Sequence, residues 1–140
     1  MRIVVLAHGR RADREVAALC EEYRLRARTM LPFEIVHTPT TAQQWERARG
    51  GKIVLLDERG DSLSSRELAG RIDGWRTGAV KQLALLIGGA DGFDDRERAQ
   101  ADGLLSLSRM TLPHRLALLM LCEQLYRAGT VLCGHPYHHG

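Results

Sequence analysis

The C-terminal tail carries the residues best suited to acid–base chemistry. It reads His135-Pro136-Tyr137-His138, so two imidazoles and a phenol stand close together. Histidine titrates near neutral pH, and tyrosine combines an aromatic face with a hydroxyl group. With His139 added, the histidines have spacings that a metal site could use, but no cysteine or carboxylate accompanies them. We therefore expect proton transfer or stacking in the tail, and no metal.

A glycine-containing loop is the second candidate for chemistry. Gly88 and Gly89 follow an apolar run. Glycine lets a ligand lie against bare backbone, although a structural turn explains adjacent glycines equally well. The sequence lacks the Gly-Lys-Ser/Thr ending of a P-loop, and residues 108–112 lack the acidic residue that a dinucleotide site places about 20 positions onward. Neither motif is present, so we expect the ligand site in the C-terminal half to be of another kind.

Strand patterns alternate with helical patterns along the chain. Strands are predicted at residues 2–7, 33–37, 52–56, 82–87 and 104–107. This order predicts one α/β domain over residues 1–140, with a mostly parallel sheet and helices on both faces. Ligands bind such sheets where the strands end. Three loops are therefore expected to form one site: residues 56–60, 88–92 and 108–112.

Helix starts are indicated by capping residues. Helices are predicted at residues 13–26, at 41–48 with Thr41 as cap, at 64–76, after Asp94, and from Pro113 as the first helical residue. The third and fourth begin with capping boxes, Ser64 with Glu67 and Asp94 with Glu97.

The last helical pattern is apolar on every side. One face of this helix must pack on its own sheet, so another apolar face must be buried against some other structure. A two-fold partner is the simplest cover, and a helix buried within a single subunit is the alternative. Glu123 and Arg127 have the spacing of a local ion pair. The apolar positions are Leu116, Leu118, Leu119, Met120, Leu121, Cys122 and Leu125.

Composition favours a soluble cytoplasmic protein. The 140 residues are 44% hydrophobic and 26% charged, without an apolar run near the ~18 residues of a membrane span. The first residues turn polar too quickly for a signal peptide. Cys20, Cys122 and Cys133 lack CxxC spacing, so we expect reduced and mostly buried thiols.

Arginine supplies most of the positive charge. The net charge is +3, and only Lys52 and Lys81 among the 20 basic residues are lysines. Arginines cluster at Arg10, Arg11 and Arg14, and again at Arg24, Arg26 and Arg28. Each cluster indicates either an RNA-facing surface or a solvated helix face in a protein from an arginine-rich genome.

Three segments together resemble a known enzyme family. They are LLIGGADGF at residues 85–93, LSLSRMTLPHRLALLMLCEQLYRA at 105–128, and HPYH at 135–138. The chain resembles the ribosomal large-subunit methyltransferase H family, small members of the SPOUT class of S-adenosylmethionine-dependent enzymes. The resemblance implies a C-terminal trefoil knot. It further implies a homodimer that methylates N3 of a pseudouridine in 23S rRNA of the assembled ribosome.

The implied reaction and the implied cofactor both point to particular residues. The reaction needs a general base, and the composition of the tail makes His135 and His138 candidates for it, and Tyr137 a candidate for stacking on the target base or hydrogen bonding to it. S-adenosylmethionine contacts are implied, largely through the main chain, at Leu56, Gly88, Leu107, Ser108, Arg109, Met110, Thr111 and Leu112.

The tail also departs from the family pattern. Many members carry a basic residue directly after the HPYH motif, whereas this chain has His139 and Gly140. The interval at residues 40–51 is shorter than in longer relatives. A ribosome-associated RNA-binding protein without catalysis is therefore the alternative. A small-molecule methyltransferase would leave the arginine clusters without a task.

Overall fold

The computed structural model of the chain describes residues 1–10 and 13–140. Over these residues five strands alternate with five helices, as the sequence predicted. Strands β1 to β5 are Arg2–His8, Glu34–Thr38, Lys52–Ser62, Gln82–Ile87 and Gly103–Ser106. Helices α1 to α5 are Arg14–Ala27, Thr41–Ala48, Ser65–Thr77, Asp95–Gln100 and His114–Cys133.

The described strands form one parallel sheet in the order β2-β1-β4-β3-β5. Strand β4 is central and its side chains alternate between two cores. Leu83, Leu85 and Ile87 pack with residues of α1, α3 and α5, whereas Ala84 and Leu86 pack with Ala48 of α2. Burial on both faces explains why β4 is a continuous apolar run. Because parallel strands end at one edge, the loops after β3, β4 and β5 meet there.

Both predicted capping boxes are present. The Ser64 side chain accepts a hydrogen bond from the Glu67 amide, and the Glu67 side chain accepts one from the Ser64 amide. Asp94 and Glu97 form the same reciprocal pair before α4. These short-range signals begin α3 and α4 where the sequence predicted, because each satisfies two amides that a helix leaves unpaired.

Two predicted caps were wrong by one residue. Thr40, rather than Thr41, caps α2, and its hydroxyl accepts a hydrogen bond from the Gln43 amide. Pro113 is the N-cap of α5 rather than its first helical residue, because its ψ of 145° is extended.

Strand β3 is longer than predicted and interrupted. Leu56 and Asp61 both pair with Leu105 of β5, so residues 57–60 leave the ladder as a bulge. The prediction ended this strand at Leu56, where the apolar run stops. The polar residues after it rejoin the sheet at Asp61 and Ser62. The bulge therefore stands at the sheet edge where the three loops meet.

Helix α5 lies between the sheet and a surface of the molecule. Eight of its residues are buried, including Leu118, Leu121 and Leu125. By length and composition it could cross a membrane, a test that core helices also pass. It packs against α1 and α3, as a core helix does. The predicted pairing of Arg127 with Glu123 is confirmed.

The outer side of α5 exposes apolar side chains next to α1. Leu116 and Met120 are 39% and 37% exposed, and Leu19 of α1 is 42% exposed. Leu19 and Met120 line the same shallow groove. We call Leu19, Leu116 and Met120 the α1–α5 patch. Among the described residues of a single chain, nothing therefore packs over this outer face of α5.

The cysteines follow the prediction. Cys20 of α1 and Cys122 of α5 are buried and unoxidised, whereas Cys133 is exposed at the end of α5. A hydrogen bond between the first two thiols is the main cause that lowers the pKa of Cys20 and raises that of Cys122.

Candidate active site

A cleft of about 980 Å³ opens where β3, β4 and β5 end. The three loops predicted to meet supply most of its walls. Arg109 is exposed between two residues of this lining and is not part of it. The other predicted cofactor contacts all line the cleft: Leu56, Gly88, Leu107, Ser108, Met110, Thr111 and Leu112. The structure thus brings the loops together, and their ligand contacts stay predictions.

The glycine loop after β4 is shaped by close packing. A Cβ atom on Gly89 would lie 2.8 Å from Nδ1 of His8, and one on Gly88 would lie 3.2 Å from the Gly92 backbone. Gly92 itself has a φ of +66° and donates its amide to the Gly89 carbonyl at 2.9 Å. A structural turn therefore accounts for these glycines. The same lack of side chains leaves backbone facing the cleft.

The loop after β5 is held by its own polar side chains. Ser106 Oγ donates to the Ser108 carbonyl at 2.8 Å, and Ser108 Oγ accepts from the Met110 amide at 2.9 Å. Thr111 Oγ1 donates to Glu58 Oε2 at 2.9 Å, which joins this loop to the β3 bulge. Met110 is 78% exposed at the rim. An apolar side chain at that position is free to cover a bound ligand.

The tail does not reach the cleft of its own chain. Tyr137 packs on Tyr126 with ring centroids 4.6 Å apart, and its hydroxyl donates to Glu123 Oε1 at 3.2 Å. Glu123 lies nine residues after His114, which lines the cleft, so about 14 Å of helix separates them. His138 Nδ1 lies 3.0 Å from Arg127 Nη1, still farther along α5.

None of the predicted catalytic residues, His135, Tyr137 and His138, lines the cleft. Among residues 1–10 and 13–140, no group of three His, Cys, Asp or Glu side chains could hold a metal ion.

Comparison with known proteins decides the family. The chain matches, over residues 1–138, the profile of a family described as predicted SPOUT methyltransferase. It is 40% identical to ribosomal RNA large subunit methyltransferase H of Dechloromonas aromatica, across 99% of this chain and 98% of that protein. The protein of that name from Thermus thermophilus is 43% identical, with the same coverage of both. The chain belongs to the ribosomal RNA large subunit methyltransferase H family. The predicted resemblance is confirmed.

Solved structures share the fold at low sequence identity. A probable methylase family protein from Haemophilus influenzae superposes with a TM-score of 0.55 at 13% identity, over 99% of this chain and 70% of that one. A putative methyltransferase from Legionella pneumophila, solved with bound S-adenosylmethionine, gives 0.52 at 16% identity over 91% and 66%. The chain is a SPOUT methyltransferase, a class whose methyl donor is S-adenosylmethionine.

Several cleft residues were not predicted as ligand contacts, although Asp57 lies within the predicted loop at residues 56–60. Asp57 follows the predicted contact Leu56 directly and carries the one signal that was available, a carboxylate at a strand end. Arg98 of α4, His8 at the end of β1, and His114 at the start of α5 also line the cleft. Their sequence positions gave no signal, because only the fold brings them to the same place.

His114 is a partly buried imidazole in the cleft wall. Its Nε2 atom is buried and has no hydrogen-bond partner among the described residues. Burial lowers the pKa of His114 below 6.5, and the nearby His8 lowers it further, while the His8 backbone partly opposes both. The ring is therefore neutral at pH 7.

His114→Gln should change the pH dependence of folding. At pH values between the pKa of His114 in the folded protein and 6.5, the unfolded chain binds more protons than the folded chain. The contribution of His114 to the free energy of unfolding is therefore complete above about pH 7 and is lost as the pH falls below 6.5. The substitution should remove the contribution of His114, at most one proton, from the slope of the free energy of unfolding against pH. Urea unfolding near pH 7.5 and 5.5 measures it. His139→Gln, in the exposed tail, is the control; equal slopes in both variants would contradict the assignment.

Proposed function

We propose that this methyltransferase transfers the methyl group of S-adenosylmethionine to N3 of a pseudouridine in 23S rRNA of the assembled ribosome. One observation carries the proposal: the loops that the family resemblance assigns to the cofactor line a single cleft at the sheet edge. The substrate is supported by relatives named ribosomal RNA large subunit methyltransferase H, which cover nearly the whole chain.

The cleft fits the proposed cofactor chemically. S-adenosylmethionine is large, with a flat adenine, a polar ribose and a charged sulfonium that supplies the methyl group. Leu56, Leu107 and Leu112 provide apolar surface for a flat ring, while the glycine loop leaves backbone groups for its polar edge. A Cβ atom on Gly89 would clash with the His8 side chain, so a larger residue at this position would require His8 to move.

The nucleotide must lose a proton from N3 as the methyl group arrives. Histidine is the side chain that most often acts as a general base in enzymes, so His135 and His138 remain our candidates for the base. In the present arrangement His138 Nδ1 lies 3.0 Å from Arg127 Nη1, so this side chain is held against α5. Tyr137 would stack on the target base or hydrogen-bond to it.

The tail can serve a cleft only if that cleft belongs to a second copy. We propose a homodimer formed through the α1–α5 patch, with the two α5 helices antiparallel. On α5, Leu118 lies midway between the exposed Leu116 and Met120. A two-fold axis that passes α5 at Leu118 would place Glu123 of one copy opposite Pro113 of the second copy. Tyr137 contacts Glu123 and Pro113 borders the cleft. This geometry brings one tail to the other cleft.

A C-terminal trefoil knot and a cytoplasmic location belong to the same proposal. The knot is supported by the family resemblance, and the strand order, with β3 between β4 and β5, is compatible with it. The location follows from the ribosomal substrate.

The decisive experiment is methyl transfer to ribosomes. Purified protein, radiolabelled S-adenosylmethionine and bacterial ribosomes lacking the modification are combined, and labelled 23S rRNA is mapped. Label on N3 of a pseudouridine is the expected result. Binding to ribosomes without transfer would contradict it and favour the alternative of an RNA-binding protein. Transfer to free rRNA but not to ribosomes would contradict only the assembled-ribosome substrate.

Arg109 and the second arginine cluster differ in their availability for RNA. Arg24 and Arg26 pair with Glu21 and Glu22 on their own helix, at 2.5 and 2.7 Å. Arg11 lies outside the described residues. Arg109 is exposed beside the cleft and makes no ion pair with any described residue. Arg109 is therefore better placed to contact a phosphate than the second cluster.

Arg109→Ala should weaken ribosome binding and lower its salt dependence. Loss of one phosphate contact reduces the slope of log K against log salt by about one. Filter binding to ribosomes between about 50 and 200 mM KCl measures this slope. Arg26→Ala, which removes a locally paired arginine, is the matched control and should keep the slope. Equal slopes for the wild type and Arg109→Ala would contradict the contact.

A further inference from the structure

Arg98 joins two of the three loops that form the cleft. Its Nε donates to Asp57 Oδ2 at 2.7 Å, in the bulge of β3. Its Nη2 donates to the backbone carbonyl of Phe93, at the end of the glycine loop. The third nitrogen, Nη1, pairs with Asp95 at 2.7 Å. One guanidinium therefore connects the bulge of β3 with the loop that follows β4.

The contact with Asp57 is partly buried, and it is less exposed than the other ion pairs among the described residues. The side chains of Arg98 and Asp57 are 18% and 7% exposed, whereas Arg71 and Asp61 in a nearby pair are 40% and 65% exposed. Exposed pairs contribute little, but removal of one partner from a buried pair leaves the other charge without compensation. Loss of Arg98 should therefore disturb Asp57.

The second oxygen of Asp57 fixes the bulge itself. Asp57 Oδ1 accepts the amide of Arg59 at 2.9 Å. Burial opposes ionisation of Asp57, but the hydrogen bonds from Arg98 and Arg59 outweigh it and lower the pKa of the carboxyl group. The carboxylate is thus charged at neutral pH and fully used for holding the loop.

The Phe93 contact fixes the other wall. A Cβ atom on Gly88 would lie 3.2 Å from Cε2 of Phe93, so the ring packs against the glycine that begins the loop. The Phe93 side chain is buried among residues of β4 and α2. Arg98 donates to both the Phe93 carbonyl and Asp57, and Leu56 directly precedes Asp57. Arg98 therefore sets the position of Gly88 relative to Leu56.

We propose that Arg98 is a positioning residue that holds residues 56–60 and 88–93 at the separation that receives S-adenosylmethionine. This rests on the proposed function of the cleft. Arg98 acts through Asp57 and the Phe93 carbonyl, and takes no part in the chemical step. A displacement of about 1 Å at such a site can cost a hundredfold in turnover.

The proposal is tested first by cofactor binding. Isothermal titration with S-adenosylmethionine should give a dissociation constant about ten- to a hundredfold higher for Arg98→Ala than for the wild type. Arg98→Lys keeps the charge and can reach Asp57, so it should recover part of the affinity. The KM for S-adenosylmethionine should rise while the KM for ribosomes stays unchanged. Arg71→Ala, which breaks an exposed pair with Asp61, should behave as wild type.

A second measurement does not depend on the cofactor. Amide hydrogen exchange of the protein alone should be faster at residues 57–60 and 88–93 in Arg98→Ala, and unchanged in Arg71→Ala. Unchanged exchange at these loops, or cofactor affinity within twofold of wild type, overturns the positioning role. Failure of the wild type to bind S-adenosylmethionine would instead overturn the proposed function. The two failures are therefore distinguishable.

Discussion

A mixed dimer is expected to be active where both parent homodimers are inactive. One parent carries His135→Ala with His138→Ala and lacks the proposed base. The other carries Leu112→Trp, which fills the cleft from its rim. If each tail serves the cleft of the second copy, the mixed dimer has one complete site, formed by the open cleft of the first parent and the intact tail of the second.

The expected yield follows from random association. Equal amounts of the two chains give half mixed dimers, and each has one of two sites, so about a quarter of wild-type turnover should return. Subunits are mixed in mild urea, dialysed, and assayed for methyl transfer to ribosomes. A chain with all three changes, mixed with wild type, controls for exchange. Activity no higher than that of the parents would show that the tail does not act across the dimer.

The second large effect is expected from a single methyl group at Gly60. A Cβ atom there would lie 2.6 Å from both the Leu104 carbonyl oxygen and the Leu105 amide nitrogen. Both are backbone atoms of β5, so neither can rotate away as a side chain could. Gly60→Ala must therefore separate β3 from β5 at the cleft. We expect a loss of about 3 kcal/mol in the free energy of unfolding and a melting temperature lower by roughly 10 °C.

A glycine in open space provides the matched control. A Cβ atom on Gly70 of α3 would have no neighbouring atom within 4 Å outside its own helix, and α-helical backbone favours alanine. Gly70→Ala should raise stability by about 0.5–1 kcal/mol. Differential scanning calorimetry and cofactor titration separate the two variants. A Gly60→Ala protein as stable as wild type would contradict the close contact between the β3 bulge and β5.

The sequence predicted the parts of the fold that depend on local signals. The all-apolar run of β4 indicated a central strand, and the capping boxes at Ser64 and Asp94 located two helix starts. The loops after three strands were predicted to meet, since parallel strands end at one edge. Local chemistry sufficed there, because each signal lies within a few residues of the feature that it determines.

Features that depend on contacts distant in sequence were missed. The bulge of β3 arises because Leu56 and Asp61 share one partner in β5, and no pattern within β3 reports this. In the sequence Arg98 is an ordinary residue of a short helix, and only the fold places Asp57 beside it. The family resemblance named tail and cleft residues as one site, whereas a single chain keeps them apart.

The strand order also affects how the chain can acquire its structure during synthesis. Strand β3 pairs only with β4 and β5, both of which follow it, and β1 gains its second neighbour only when β4 arrives. Roughly the first half of the polypeptide therefore emerges without the partners that would complete its sheet. Such non-local parallel pairing is slow and leaves strand edges open. A nascent chain of this protein should thus need its C-terminal half, released last, before the cleft exists at all.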